Sequence, residues 1–265
     1  MAEIDAARLT AALKDRYAKI DVVERTGSTN ADLRKAVENG AADRTVLLAE
    51  EQTAGVGRRG RTWSSPKGAG LYLSVALRPG VPFTALGSLS VVAALAVRAV
   101  AAGDGVDAAL KWPNDVLSGG AKCAGILAEA VAGDPPSIVL GIGLNVLPLG
   151  DVQPGPGGLP ATSLAELGAT NTDRTDVAIA LLTEFDELEK RWRLAGGDLT
   201  EAGLLGEYRA HCATLGQDVE VQLPDGTSLT GRAADIDAAG QLQVDTAGGR
   251  RHTVFAGDVV HVRPA

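Results

Sequence analysis

The segment Gly55-Val56-Gly57-Arg58-Arg59-Gly60-Arg61-Thr62-Trp63-Ser64-Ser65-Pro66 decides between two folds. It follows an apolar run, Thr45–Glu50, by a few residues and formally matches the G-x-G-x-x-G pattern of dinucleotide-binding turns. A Rossmann turn opens an apolar helix. Here a polar stretch ending in Pro66 follows, and proline inside a helix removes a donor and clashes with the preceding turn. An acidic residue about twenty positions on should hold a ribose. Arg78, Pro79 and Gly80 occupy that region instead. The dinucleotide reading fails. What remains is three guanidinium groups within four positions, on a backbone loosened by three glycines. Guanidinium stays charged and forks around phosphate oxygens, and glycine lets main-chain N–H groups approach a ligand. The segment therefore suits enclosure of a polyphosphate, or else is a solvated basic loop on an acidic protein. The other common phosphate cradle, G-x-x-x-x-G-K-[ST], is absent from the sequence.

Outward from this loop, Thr45–Glu50 and Gly70–Leu77 read as strands. Leu86–Ala102 is apolar nearly all round and reads as a buried helix; Arg98 within it argues against a membrane span. Ala109–Trp112, Gly125–Ala130 and Ser137–Asn145 are further strands, with a turn at Pro135-Pro136. Asp173–Trp192 is a long helix capped by Asp173 or Thr175, and Met1–Ile20 an amphipathic helix with Leu9, Leu13, Tyr17 and Ile20 on one side. Leu149–Pro160, rich in Gly and Pro, is a surface loop. Composition shifts at about His211. Beyond it, alternation at Val219, Val221 and Leu223, at Leu242 and Val244, and at Val259, Val260 and Val262 marks short strands. Pro224-Asp225-Gly226 and Ala239-Gly240 supply turns. The expected class is α+β: a mixed-sheet domain over 1–213, then a small β-barrel over 214–265.

The chain has 265 residues, 45% of them hydrophobic, so a sizeable core is expected. Twenty-five Lys plus Arg against 33 Asp plus Glu give a net charge of -8. That excess of acid argues against a nucleic-acid or membrane-surface partner. The two cysteines, Cys123 and Cys212, are far apart and in no metal-ligand spacing. Neither a disulfide framework nor a protein-held metal is expected, and a soluble protein of the reducing cytoplasm is the simpler reading.

Two more segments carry candidate chemistry. In Lys111-Trp112-Pro113-Asn114-Asp115 a lysine ends an apolar strand before a Pro-Asn turn, where strand termini face clefts. A lysine snorkelling beside a tight turn fits equally well. In Thr26-Gly27-Ser28-Thr29-Asn30, Ser28 or Thr29 can cap the helical pattern Ala31–Glu38, with Asp32 at capping-box spacing from Thr29. Capping is the better reading for that segment alone, although a helix start also suits a polar ligand.

Five motifs in order resemble the biotin–protein ligase family: Ser28-Thr29-Asn30, Glu50 to Arg61, Lys111 to Asp115, Lys122 to Glu129 (K-x-A-G-I-L-x-E), and Gly141 to Val146 (G-x-G-x-N-V). The match is close over about residues 20 to 150, and the tail fits the family's small SH3-like C-terminal barrel. A winged helix-turn-helix has no room before Asp21, so the single-function class, without a DNA-binding domain, is expected. The resemblance implies formation of biotinyl-5′-AMP from biotin and ATP with Mg2+, then transfer of biotin to one lysine of the biotin carboxyl carrier domain of a carboxylase. Arg58 and Lys111 are the implied catalytic cations. Ser28, Thr29, Asn30 and Gln52 are implied at the polar end of biotin, together with Gly55, Val56, Gly57, Gly125 and Leu127. Trp63 is implied at adenine, with Arg58, Arg61, Asn114 and Asn145 on the adenylate. For Trp112 a core position is favoured, because it alternates with Lys111.

Two departures stand out. Val56 replaces the arginine of the family's G-R-G-R, removing a guanidinium on the biotin side, and Cys123 stands where an apolar residue is usual. The nearest rival is a lipoate or octanoate ligase or transferase, which should lack both the basic loop and the Trp of K-W-P-N-D. A non-catalytic biotinyl-AMP binder has only Val56 in its favour, against intact Arg58 and Lys111.

Overall fold

The computed structural model describes residues 3–64, 66–154, 158–223, 225–255 and 257–261. Pro224 and Val262, read above as turn and strand, and 155–157 of the Gly/Pro-rich loop lie outside them. Seven strands form the first sheet: β1 (Lys19–Thr26), β2 (Thr45–Gln52), β3 (Gly70–Leu77), β4 (Ala109–Lys111), β5 (Asp115–Ser118), β6 (Ala121–Val131) and β7 (Ser137–Asn145). Their order is β1-β2-β3-β7-β6-β5-β4. Only β1 and β2 run parallel, joined across helix α2 (Thr29–Glu38); every other neighbour is antiparallel. The mixed sheet is thus one crossover unit followed by a meander.

Alternation along β3 sets the two faces. Leu71, Leu73, Val75 and Leu77 join the main core, which also takes in α1 (Ala6–Leu13), α3 (Leu89–Gly103) and α4 (Arg174–Leu194). Ala76 points the other way, into a small cluster with Leu33 and Val37 of α2 and with Val131 and Val139. Because β3 and β7 are covered on both sides, they are continuous apolar runs. Helix α3 carries ten buried residues, and the span Phe83–Gly103, apolar and long enough to cross a membrane, is mostly core.

The second sheet is antiparallel, with β8 (Asp218–Gln222), β9 (Ser228–Ile236), β10 (Leu242–Asp245), β11 (Arg251–Val254) and β12 (Asp258–His261) in the order β11-β10-β9-β8-β12. It is the SH3-like unit, and it is keyed into the first. Ala213 N donates to Leu110 O at 2.8 Å, and the Trp112 indole donates to Gly240 O at 2.9 Å. A short helix, α5 (Leu205–His211), precedes the joint.

The N-terminal helix is shorter than its periodicity predicts. Leu9 and Leu13 are buried as expected, but α1 ends at Leu13. Tyr17 is buried beyond it, its hydroxyl donating to Leu182 O at 2.6 Å, and Ile20 belongs to β1. The apolar helix expected over 86–102 begins as a 3-10 turn, Phe83–Ser88, before α3 proper. Cys123 and Cys212 are buried free thiols, and burial pushes Cys123 up to about 12.

Helix α4 is anchored by charge as well as by packing. Asp186 and Glu189 have fully buried side chains, and Arg44 donates to both. Arg16 and Lys190 also reach Asp186, at 2.6 and 2.7 Å, and Arg193 reaches Glu189 at 2.7 Å. Burial pushes Asp186 up, but Lys190, Arg16 and Arg44 together outweigh it and hold it below the usual aspartate range. Removing one partner of a buried pair leaves an uncompensated charge. Arg44→Leu should therefore cost about 3 kcal/mol, the low end of such losses because other cations remain. Urea unfolding checks this, and a change below about 1 kcal/mol, the worth of an exposed pair, would contradict it.

Candidate functional site

A cavity of about 270 Å³ opens on the α2 face of the first sheet. Strand alternation brings Gly125 and Leu127 of β6 and Gly141, Gly143 and Asn145 of β7 to it, with Gly125 paired to Gly143 and Leu127 to Gly141. These glycines make room. A Cβ at Gly143 would lie 2.5 Å from the Trp63 indole and one at Gly125 2.9 Å from the same ring, while one at Gly141 would collide with Asn30 Oδ1. The sheet is thus smooth where the cavity sits and apolar where α2 covers it.

One end of the cavity is neutral and hydrogen-bonding. Ser28 is the N-cap of α2, its hydroxyl accepting from Ala31 N at 3.4 Å. The capping box expected from Thr29 does not form, because Thr29 is already the first helical residue and Asp32 accepts instead from the Thr26 hydroxyl. Thr29 N donates to Gln52 Oε1 at 2.9 Å. The Thr29 hydroxyl lies 2.8 Å from Ser74 Oγ, which lies 2.6 Å from Asn30 Oδ1. Asn30 Nδ2 donates to Glu129 Oε2 at 2.8 Å.

The other end is cationic. The basic loop is pinched by an antiparallel bridge between Val56 and Thr62, with Gly57 N donating to Arg61 O at 2.6 Å and Trp63 N to Gly55 O at 2.8 Å. Its tip is a 3-10 turn, Arg58–Gly60, with Arg59 and Gly60 at φ of 56° and 71°. The turn sends Arg58 and Arg61 to the cavity, and Arg59 is exposed. Arg58 Nη1 donates to Gly257 O, just before β12 of the second sheet, at 3.1 Å. Lys111 lines the cavity from the end of β4. Lys122 lies 5.2 Å from the centre of the Trp63 ring, a cation–π contact, and 2.6 Å from Asp115.

Every residue singled out from the sequence lines this cavity except Gly55, which is buried, and Arg59, the third guanidinium of the loop, which is exposed. Asn114 donates to Ile126 O at 2.8 Å. Asn145 donates to Thr162 O at 2.9 Å, and its Oδ1 is buried without a hydrogen-bond partner among the described residues, which suits a ligand N–H. Trp112 is 2% exposed, a core residue whose edge also reaches the wall. Residue-by-residue reading missed Ser74, hidden in an apolar strand, and gave no role to Lys122 although its motif was evident. It also missed Gln222 and Val259, which bring the second sheet to the cavity rim. Among the described residues no group of three or more His, Cys, Asp or Glu could hold a metal ion.

Residues 22–145 match the biotin/lipoate A/B protein ligase family and residues 214–262 the biotin protein ligase C-terminal domain. The chain is 45% identical to a biotin–[acetyl-CoA-carboxylase] ligase of Mycobacterium tuberculosis, over 93% of this chain and 90% of that protein. This chain belongs to the biotin/lipoate A/B protein ligase family. It is also 33% identical to a bifunctional ligase/repressor of Bacillus spizizenii, over 90% of this chain and 72% of that one. Among solved structures, the biotin protein ligase of Aquifex aeolicus in complex with biotin and ATP superposes with a TM-score of 0.78. Identity there is 26%, over 94% of this chain and all of that one.

The glycine floor gives a direct test of the geometry. Gly143→Ala should displace Trp63 from its slot, because the new methyl has no other space. Trp112 and Trp192 are buried at 2% and 0% exposed, so a red shift of tryptophan emission in a folded variant reports Trp63 alone. An unshifted spectrum would mean the ring does not rest on this strand.

Proposed function

We propose that this ligase activates biotin with ATP as biotinyl-5′-AMP, releasing pyrophosphate, and then passes biotin to one lysine of a biotin carboxyl carrier domain. The observation that carries the reading is the two-ended cavity: Thr29, Asn30 and Gln52 at a neutral end, and Arg58, Arg61, Lys111 and Lys122 at a cationic one. A carboxylate must approach an α-phosphate, anion against anion, so positive charge is the main requirement. The carboxylate oxygen bonds to phosphorus as the bond to pyrophosphate breaks. The acceptor amine then attacks the acyl carbon, AMP leaves, and the amine loses a proton. No protein nucleophile enters either step.

In this reading Arg58 and Lys111 offset charge at the reacting groups, and Trp63, beside Asn145, faces the adenine. Mg2+ arrives as the counter-ion of ATP and is part of the substrate. Two buried thiols and the use of ATP fit a cytoplasmic enzyme. The test is incubation with biotin, ATP, Mg2+ and a purified carrier domain, read by intact mass; an unmodified carrier overturns the proposal.

Lys111→Ala should lower adenylate formation ~10²–10³-fold, the usual loss for one charged or polar donor at developing charge. Near-normal pyrophosphate release by a folded variant would remove Lys111 from its role.

Val56 generates a second expectation. It is 47% exposed on the cavity wall and supplies no charge where the G-R-G-R pattern of the resemblance has arginine. Lys67, a nearby cation, is engaged by Glu24 at 2.7 Å. A missing charge-assisted contact should let the adenylate leave roughly ten- to a hundredfold faster. Val56→Arg should slow adenylate dissociation by that factor and reduce labelling of bystander lysines. Equal off-rates would show the substitution to be silent.

A further inference from the structure

The polar groups at the neutral end form one chain whose direction is forced. Asn30 Nδ2 lies 2.8 Å from Glu129 Oε2 and 3.3 Å from Leu127 O, both acceptors, so the amide NH2 faces them. Asn30 Oδ1 then faces Ser74 Oγ at 2.6 Å, and an amide oxygen cannot donate. Ser74 therefore donates to Asn30, and its oxygen accepts from the Thr29 hydroxyl at 2.8 Å. Thr29 has one hydroxyl hydrogen, so its 3.1 Å approach to Gln52 Oε1 cannot claim the same proton. Gln52 Oε1 is served instead by Thr29 N–H at 2.9 Å. With its proton committed to Ser74, Thr29 Oγ1 has only lone pairs left for a ligand.

The anchor of this chain is the carboxylate. Turning the Asn30 amide over would set its oxygen against Glu129 and reverse the donors behind it. Glu129 is held from outside by Arg34 at 3.3 Å, whereas Ser74 is fully buried. We propose that Glu129 is a positioning residue: acting through Asn30 and Ser74, it presents Thr29 as an acceptor and selects a ligand ring that carries N–H donors. The identity of that ring as the cyclic urea of biotin rests on the ligase reading. Pre-setting the polar groups removes their reorganisation from the cost of binding, so the effect belongs to affinity rather than to the chemical step.

The test measures biotin affinity by calorimetry and turnover at saturating biotin for the full chain and four variants, with melting temperature as the folding control. Glu129→Ala and Ser74→Ala should each weaken biotin binding about tenfold, the value of one hydrogen bond, with turnover held within about twofold. The double variant should be little weaker than the worse single one, because links of one chain do not add. Glu129→Gln, whose amide oxygen still accepts from Asn30, should stay within about threefold of wild type. Additive losses, unchanged affinity in Glu129→Ala, a glutamine no better than alanine, or a loss confined to turnover would each overturn the proposal. Should Ser74→Ala fail to fold, the contrast between alanine and glutamine at partly exposed Glu129 decides alone. A wild-type chain that does not bind biotin would overturn the ligase reading; one that binds, with indifferent variants, overturns only this inference.

Discussion

The register that sets Gly125 opposite Gly143 is the constraint on which the site depends. A sheet face normally bristles with side chains every second residue, and here that face is bare at one end. The Trp63 indole can lie against backbone only because no Cβ stands there, and Asn30 can reach Ser74 and Glu129 only because Gly141 leaves its amide room. A shift of β7 by one residue would turn Gly141 and Gly143 toward the main core and the buried side chains of Leu140, Ile142 and Leu144 toward the cavity. The same alternation that buries Leu140, Ile142 and Leu144 therefore keeps the cavity open. Packing and binding are two faces of one strand.

That economy explains which parts were legible in the sequence. The central strands and α4 were readable because burial on both faces or a long periodic stripe gives a strong signal: Gly70–Leu77 and Ser137–Asn145 match their predicted bounds. Lys19–Thr26 was not, because β1 is an edge strand whose residues are all exposed or half-buried, leaving no clean period of two. The N-terminal helix was overextended because Tyr17 and Ile20 continue its stripe by coincidence; they reach the core from a turn and a strand. In the site, residues lying in compact motifs could be named. Ser74 could not, since its partners Thr29 and Asn30 are more than forty positions away and its strand reads as apolar.

Charge is distributed by the same logic. The chain is acidic overall, yet the cavity gathers Arg58, Arg61, Lys111 and Lys122 around one end. Much of the remaining basic charge is occupied elsewhere: Arg44, Arg16 and Arg193 serve the buried acids of α4, and Lys67 serves Glu24. An acidic exterior with a cationic recess focuses positive potential where an anion must enter and weakens it elsewhere. Composition alone argued against a nucleic-acid surface, but it could not have located the recess, which exists only once β4, β6 and the basic loop are brought together.

The second sheet completes the enclosure rather than standing apart. Gln222 and Val259 reach the rim, and Gly257 O takes a hydrogen bond from Arg58, so the tip of the basic loop is tied to a strand end nearly two hundred residues away. The tie at the far side is Trp112, one residue from Lys111, whose indole is fixed by Gly240 O. Both cationic walls thus reach backbone carbonyls of the second unit, Gly240 O in the turn between β9 and β10 and Gly257 O just before β12. A reactive acyl-adenylate needs walls that exclude water and then part for an acceptor lysine. Because Trp112 is also packed in the core while Val56, Arg59 and Gly60 of the loop are exposed, the loop side has less packing to break on opening. The acceptor's route should therefore run past the basic loop, and the Lys111 wall should stay in place through the cycle.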